Sequence, residues 1–267
     1  MSGAELRLGR LFDRDSGRAF VAAIDHGLTI GVPAGAEQAL PAIERVVNLQ
    51  PDAVLLSPGM LGKAGHLFAF RGAPAPLVRA DFIINDQRLA YLGEQHRVLI
   101  SPEDANALGA NGILLFLILG VKEGEMFADN VQVVGQIAQE AHRVGLPLIV
   151  ETTLWGSQIP AEAKRDPDLL AFGARVAAEL GADAVKTEYT GNPETMAQVI
   201  AGCPVPVLVL GGPKTNSPEA LVRATRDAMA AGAKGVVYGR NVWQADNPPA
   251  MARQLRAAIH GHTSVAR

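Results

Sequence analysis

Leu180-Gly181-Ala182-Asp183-Ala184-Val185-Lys186-Thr187-Glu188-Tyr189 reads as the end of a helix, a glycine that reverses the chain, and a short apolar strand that runs out into charged and hydroxyl-bearing residues. Glycine past a helix end supplies the left-handed conformation that other residues resist. The same rhythm recurs at Leu108-Gly109-Ala110-Asn111, His142-Arg143-Val144-Gly145 and Ala231-Gly232-Ala233-Lys234. Apolar runs of strand length fall at Phe20–Ile24, Ala53–Leu56, Leu77–Ala80, Ile113–Leu119, Pro147–Val150, Ala182–Lys186, Val205–Leu210 and Gly235–Tyr238. Most are continuously hydrophobic instead of alternating, as expected of parallel strands covered on both faces.

Helix starts lie between them at Ser101-Pro102, Asn192-Pro193, Ser217-Pro218 and Asn247-Pro248, each a side-chain acceptor followed by a proline whose missing N–H costs nothing in the first turn. Strands alternating with helices imply a parallel sheet, open or closed. Eight units, with no Gly-x-Gly-x-x-Gly turn after the first strand, favour closure into a (β/α)8 TIM barrel. No low-complexity linker divides the chain, so residues 1–267 are expected to form one domain, with about 1–18 capping the barrel and about 260–267 as a flexible tail. Gly59–Pro76 reads as a loop carrying a short helix.

Apolar residues at 48% and charged residues at 19% exclude a disordered chain. A net charge of −3 with scattered Lys and Arg gives no field for a nucleic-acid partner. Cys203 is the only cysteine, which rules out intrachain disulfides and thiolate clusters and fits a cytoplasmic protein. Neither the N-terminus nor the apolar run Gly112–Gly120 is long enough for a signal peptide or a membrane span, so no membrane association is expected.

Reactive groups in such barrels sit at the C-terminal ends of the strands. Period two sends Ala184, Lys186 and Glu188 to one side of the sixth strand. If that side is inward among apolar walls, the charged form of Lys186 is disfavoured and the amine can attack a carbonyl carbon to form an imine. The alternative is a strand-end lysine that points to solvent or pairs with Glu188. After the seventh and eighth strands, Gly211-Gly212 and Gly239-Arg240 would let backbone N–H groups approach a phosphate, with Arg240 adding charge. At the first exit, Asp25 and His26 could move protons, or serve as a helix cap and a structural hydrogen bond. No HExxH and no His/carboxylate set has metal-ligand spacing, so neither metal nor cofactor is expected.

Ala23-Ile24-Asp25-His26-Gly27, Asp183-Ala184-Val185-Lys186-Thr187, Val209-Leu210-Gly211-Gly212-Pro213-Lys214 and Gly239-Arg240-Asn241-Val242-Trp243-Gln244 together resemble the archaeal-type class I fructose-bisphosphate aldolases. That group includes the aminodideoxyheptulosonate synthases and the autoinducer-2 thiolase, whose sequence Ile200–Pro206 also resembles. The resemblance implies a homo-oligomeric, metal-independent class I aldolase of carbohydrate metabolism acting on a phosphorylated ketose or related keto compound. By the same resemblance Lys186 matches the Schiff-base lysine, Asp25 the aspartate beside the reacting carbons, and Gly211, Gly212, Gly239 and Arg240 the phosphate site. Sugar-phosphate aldolases of this type usually carry a proton-transferring tyrosine followed by Pro-Arg-Gly after the fifth strand, whereas this chain reads Glu151-Thr152-Thr153-Leu154-Trp155 with Thr153 in the tyrosine's place. The thiolase relative also lacks that tyrosine.

A threonine hydroxyl is too weak an acid to replace a phenol. Proton transfer then falls to Asp25, His26, Glu151, Glu188 or water, with Glu151, which shares strand parity with Thr153, preferred. Thr153 and Glu188 are expected beside the substrate. Asp81 and Lys122 depart from the family pattern, either as altered contacts to the non-phosphate end or as solvated loop charges. Two other readings use the same residues: a thiolase-like acyl transfer on a phosphorylated diketone, and a sugar-phosphate-binding barrel without catalysis.

Overall fold

The computed structural model describes residues 2–84, 87–215 and 217–261. Eight parallel strands close into a barrel in chain order: β1 (Ala19–Ala23), β2 (Ala53–Leu56), β3 (Ala75–Arg79), β6 (Gly112–Ile118), β7 (Leu148–Thr153), β8 (Ala184–Thr187), β9 (Val207–Leu210) and β10 (Gly235–Tyr238), which pairs back onto β1. This is the (β/α)8 barrel that the strand–helix alternation implies. All eight expected strands are present, two with the expected bounds and six with one or both ends shifted by one to three residues. The extension of β7 to Thr153 places Glu151 in register with Lys186 on β8.

The helices are α1 (Gly3–Gly9), α2 (Gly27–Ile30), α3 (Ala39–Asn48), α4 (Pro58–Ala64), α5 (Pro102–Ala107), α6 (Gly124–Val144), α7 (Pro167–Glu179), α8 (Pro193–Ala201), α9 (Pro218–Ala230), α10 (Arg240–Trp243) and α11 (Pro248–His260). Ser101, Asn192, Ser217 and Asn247 each accept a backbone N–H from the first turn of the helix they precede. Asp166 does the same for α7. Gly109, Gly145, Gly181 and Gly232 all take positive φ, so each helix-ending glycine is required by backbone geometry. The segment expected to be a loop with a short helix holds α4 and one 3-10 turn, Gly65–Phe68. His260, expected in a tail, is the last residue of α11, where Nδ1 lies 2.9 Å from Ser16 Oγ. The rest of that expected tail, residues 262–267, lies outside the described residues.

An antiparallel hairpin of β4 (Asp81–Ile83) and β5 (His96–Val98) is inserted between β3 and α5. Each strand is only three residues long, too short for a hydrophobic-period signal. Among the described residues no helix is long and apolar enough to cross a membrane.

Period two divides the barrel strands between two cores. Outward residues such as Phe20, Val54, Val78, Leu115, Val150 and Val185 pack beneath the helices. Inward residues, among them Val21, Leu55, Leu77, Leu114, Ile149 and Leu208, fill the barrel together with Leu11 from the segment after α1. Arg7 on α1 donates to Gly145 O and to Asn106 Oδ1, which holds the helix against the N-terminal end of the barrel. Leu11→Ala should therefore open a cavity at the closed end and cost about 2–5 kcal/mol. A lowered urea midpoint with an unchanged m-value is the expected readout, and a midpoint within error of the parent would show that Leu11 is not part of the core.

Candidate active site

One inward step beyond the apolar layer, the same strand positions carry Arg79, Phe116, Glu151 and Lys186, two residues after Leu77, Leu114, Ile149 and Ala184. All four are buried. The strands that close the barrel therefore also converge three ionisable groups and an aromatic ring at its mouth.

Lys186 Nζ lies 2.7 Å from Glu151 Oε2. The same oxygen accepts a short hydrogen bond from Arg79 Nη2. Arg79 Nε donates to Asp25 Oδ2 at 3.0 Å, and Nη1 is 3.6 Å from Asp81 Oδ1. The guanidinium carbon stands 3.8 Å from the centre of the Phe116 ring. Burial by itself would weaken the charge on Arg79, but Glu151, Asp25 and Asp81 outweigh it and hold the guanidinium ionised. Burial likewise disfavours ionised Asp25, yet Arg79, then His26 and Lys186, keep its pKa below the usual carboxylate range.

The lysine's surroundings thus differ from the expected apolar walls: its nearest charged neighbour is a carboxylate. Lys186 neither points to solvent nor pairs with Glu188.

Around Lys186 lies a cavity of about 100 Å³ bordered by Asp25, His26, Arg79, Glu151 and Trp155, and by Gly211, Gly212, Gly239 and Arg240. A neighbouring groove of about 630 Å³ shares Trp155, Gly211, Gly212 and Arg240 with it and is further lined by Glu188 and Tyr189. Lys186, Glu151, Asp25, His26 and the glycine–arginine set are therefore gathered in one space, with Glu188 in the next. Thr153 is not with them. It is fully buried with its hydroxyl unpartnered, and it borders neither space.

The expected structural hydrogen bond of His26 is also missing at Nδ1, which has no hydrogen-bond partner and lies 3.8 Å from Asp25 Oδ1. Packing fixes the ring instead, edge-on to Trp243 at 5.5 Å. Trp243 Nε1 donates to Ala23 O at the end of β1. Burial, ahead of the opposing pull of Asp25, lowers the His26 pKa and favours the neutral imidazole. A Cβ at Gly239 would stand 2.2 Å from His26 Cε1, so this position admits only glycine while the ring stays put.

Asn241, unmarked by sequence reasoning beyond its place in a motif, donates to Gly211 O at 2.7 Å and Pro213 O at 3.0 Å and accepts from Thr215 N at 2.8 Å. It ties the loop after β9 to the exit of β10. Arg79 and Trp155 were also missed as site residues. The signal for Arg79 was available: it sits two residues after Leu77, where an inward charge at a strand end is unusual.

Asp81 is neither a solvated loop charge nor a residue lining the cavity. It is buried, accepts from Phe116 N at 2.6 Å and pairs with His96 Nε2 at 2.9 Å, anchoring the hairpin to the barrel beneath Arg79. Lys122 is exposed and meets the solvated reading.

Residues 19–245 match the family described as DeoC/LacD family aldolase. An uncharacterised aldolase of Saccharolobus solfataricus is 35% identical over 99% of this chain and 97% of its own length. The 2-amino-4,5-dihydroxy-6-oxo-7-(phosphonooxy)heptanoate synthase of Streptomyces griseus is 33% identical over 96% of this chain and 89% of its own. A solved archaeal fructose-1,6-bisphosphate aldolase, with its catalytic lysine covalently bound to the carbinolamine intermediate of the substrate, superposes with a TM-score of 0.83 at 28% identity, covering 96% of this chain and 99% of that one.

Arg79→Met leaves Asp25, Glu151 and Asp81 facing one another without their shared cation. A loss of about 3–5 kcal/mol at pH 7 is expected. Because Arg79 depresses the Asp25 pKa, its contribution is present at neutral pH and fades as Asp25 takes up a proton. The gap between parent and variant, measured by urea unfolding, should therefore be widest near pH 7 and close below about pH 4. A gap that is constant with pH would contradict the assigned cause.

Proposed function

From the chain's membership of the DeoC/LacD aldolase family, we propose that Lys186 attacks the ketone of a phosphorylated ketose or related keto compound and forms the imine through which a C–C bond is made or broken. The chain is a class I, Schiff-base aldolase, and so a lyase. Neither acyl transfer on a diketone nor a non-catalytic sugar-phosphate barrel is favoured by the relatives. The observation that carries the residue assignment is the 2.7 Å contact between Lys186 Nζ and Glu151 in a cavity that Gly211, Gly212, Gly239 and Arg240 also line.

Glu151 is placed to take the proton that Lys186 must shed before its lone pair can attack, and to return it as the carbinolamine loses water. Asp25, kept ionised by Arg79, faces the substrate carbons from β1. His26, favoured in its neutral form, offers a hydrogen bond to a substrate hydroxyl. The phosphate is assigned to the backbone of Gly211, Gly212 and Gly239 and to Arg240, whose Nε is buried without a partner. The imine is itself the electron sink, so the reaction calls for no metal or cofactor. A cytoplasmic, homo-oligomeric enzyme of carbohydrate metabolism completes this reading.

Borohydride added with dihydroxyacetone phosphate should leave a reduced adduct on Lys186, found by peptide mass spectrometry, and Lys186→Ala should abolish it. An undiminished adduct in that variant, or none in the parent, sinks the imine assignment. Arg240→Gln should raise the concentration of dihydroxyacetone phosphate needed for half-maximal trapping about tenfold to a hundredfold; an unchanged value would move the phosphate elsewhere.

A further inference from the structure

An aldol cleavage needs two proton transfers beyond imine formation: one from the hydroxyl on the carbon that becomes the aldehyde, and one to the enamine carbon left behind. Thr153, which stands where the family resemblance would put a proton-transferring tyrosine, is sealed away from both cavities. Glu151, the expected substitute, is already engaged, because one of its oxygens accepts from both Lys186 and Arg79. Asp25 is held in the same way by Arg79.

Glu188 differs from both. It follows Lys186 by two residues at the end of β8, about 6.5 Å further toward the mouth. The residue is partly exposed, yet its Oε2 is sealed and has no hydrogen-bond partner. Its groove joins the Lys186 cavity through shared walls at Trp155, Gly211, Gly212 and Arg240. A keto phosphate joined to Lys186 at the carbonyl carbon would carry its hydroxyl-bearing carbon two atoms beyond the imine.

We propose that Glu188 is the acid–base group of the C–C bond step, standing in for the missing phenol. This rests on the imine reading of Lys186. In cleavage, the Glu188 carboxylate takes the hydroxyl proton as the C–C bond breaks. The aldehyde departs and the bonding pair moves through carbon to the iminium nitrogen, giving the enamine. The resulting carboxylic acid then gives its proton to the enamine carbon, which restores the iminium for hydrolysis by water.

A group that serves as base and then as acid works best with both forms accessible at the working pH. Burial, followed by the charge of Glu151, pushes the Glu188 pKa up to about 7, against the opposing pull of Lys186. Lys164, Arg165, Tyr189, Tyr238 and Arg240 are the other ionisable groups lining the groove. Glu151 and Glu188 thus divide the work, one serving the lysine and the other the substrate.

The test compares Glu188→Gln with the parent enzyme using dihydroxyacetone phosphate, by borohydride trapping and by exchange of its α-proton in heavy water followed by NMR. Trapping on Lys186 should persist at saturation, while exchange falls about a hundredfold or more. The parent's exchange rate should climb with pH through about 7 as Glu188 ionises, and the variant should lack that limb. Glu188→Asp, which keeps the carboxyl, should recover part of the rate. Removing a carboxyl that resists ionisation should not weaken the fold at pH 8, so urea unfolding there should give a midpoint no lower than the parent's.

Exchange within threefold of the parent, or an unchanged pH limb, overturns the role of Glu188 while leaving the imine intact. Trapping lost along with exchange also overturns it, because the residue would then serve imine formation. No adduct in the parent fails the imine reading itself, and the inference falls with it.

Discussion

The buried guanidinium of Arg79 is the constraint on which the mouth of this barrel depends. Three carboxylates, Asp25, Asp81 and Glu151, come from the first strand exit, the inserted hairpin and β7, and all three turn toward it. Left to themselves in a site closed to solvent, they would repel one another. An arginine suits the position better than a lysine, because its planar fork reaches several oxygens at once and stays charged under burial. The Phe116 ring 3.8 Å away adds a favourable face to the same cation. By satisfying Asp25 and Glu151 from one side, Arg79 fixes where their remaining oxygens face.

A second layer of order comes from close backbone approach on the opposite wall. Gly239 has no room for a side chain beside His26, and a Cβ at Gly211 would stand 2.8 Å from the Tyr238 ring. Asn241 then ties the Gly211–Pro213 loop to the exit of β10 with hydrogen bonds in both directions. The exits of β1, β9 and β10 are consequently one packed unit, joined through His26 and Trp243. Such a wall keeps its backbone N–H groups in place without support from a ligand, which is what a preformed anion site requires.

The sequence makes the barrel readable because its signals are local. An apolar run, a helix-ending glycine and a capping residue each act within a few positions, and eight repetitions remove most of the ambiguity. Lys186, Asp25 and the paired glycines were legible for the same reason, since each closes a strand. The position of Arg79 at a strand end marked it as unusual, but its partners lie 54 and 72 positions away, which no local pattern records. The same limit explains the expectation of apolar walls around Lys186: strand parity grouped the lysine with Ala184 and Glu188 without telling which way they face, and the register that sets Glu151 against it depends on pairing between β7 and β8. The hairpin went unseen for want of length, and with it the burial of Asp81 against His96.

In the proposed cycle the lysine nitrogen changes charge repeatedly, from ammonium to free amine, to cationic iminium, to neutral enamine. Glu151 faces that nitrogen in every one of those states. A lone carboxylate at 2.7 Å would stabilise the cationic states so well that drawing electrons onto the nitrogen, which the C–C bond step requires, would become harder; only interactions stronger in the transition state than before it speed that step. Arg79 bears on the same Glu151 oxygen and shares its negative charge whether or not the nitrogen is cationic. The carboxylate stays aimed at the lysine, but its hold on the iminium is moderated. This gives the buried arginine a chemical reason as well as a structural one: it holds Glu151 against the lysine without pinning the imine in its charged form.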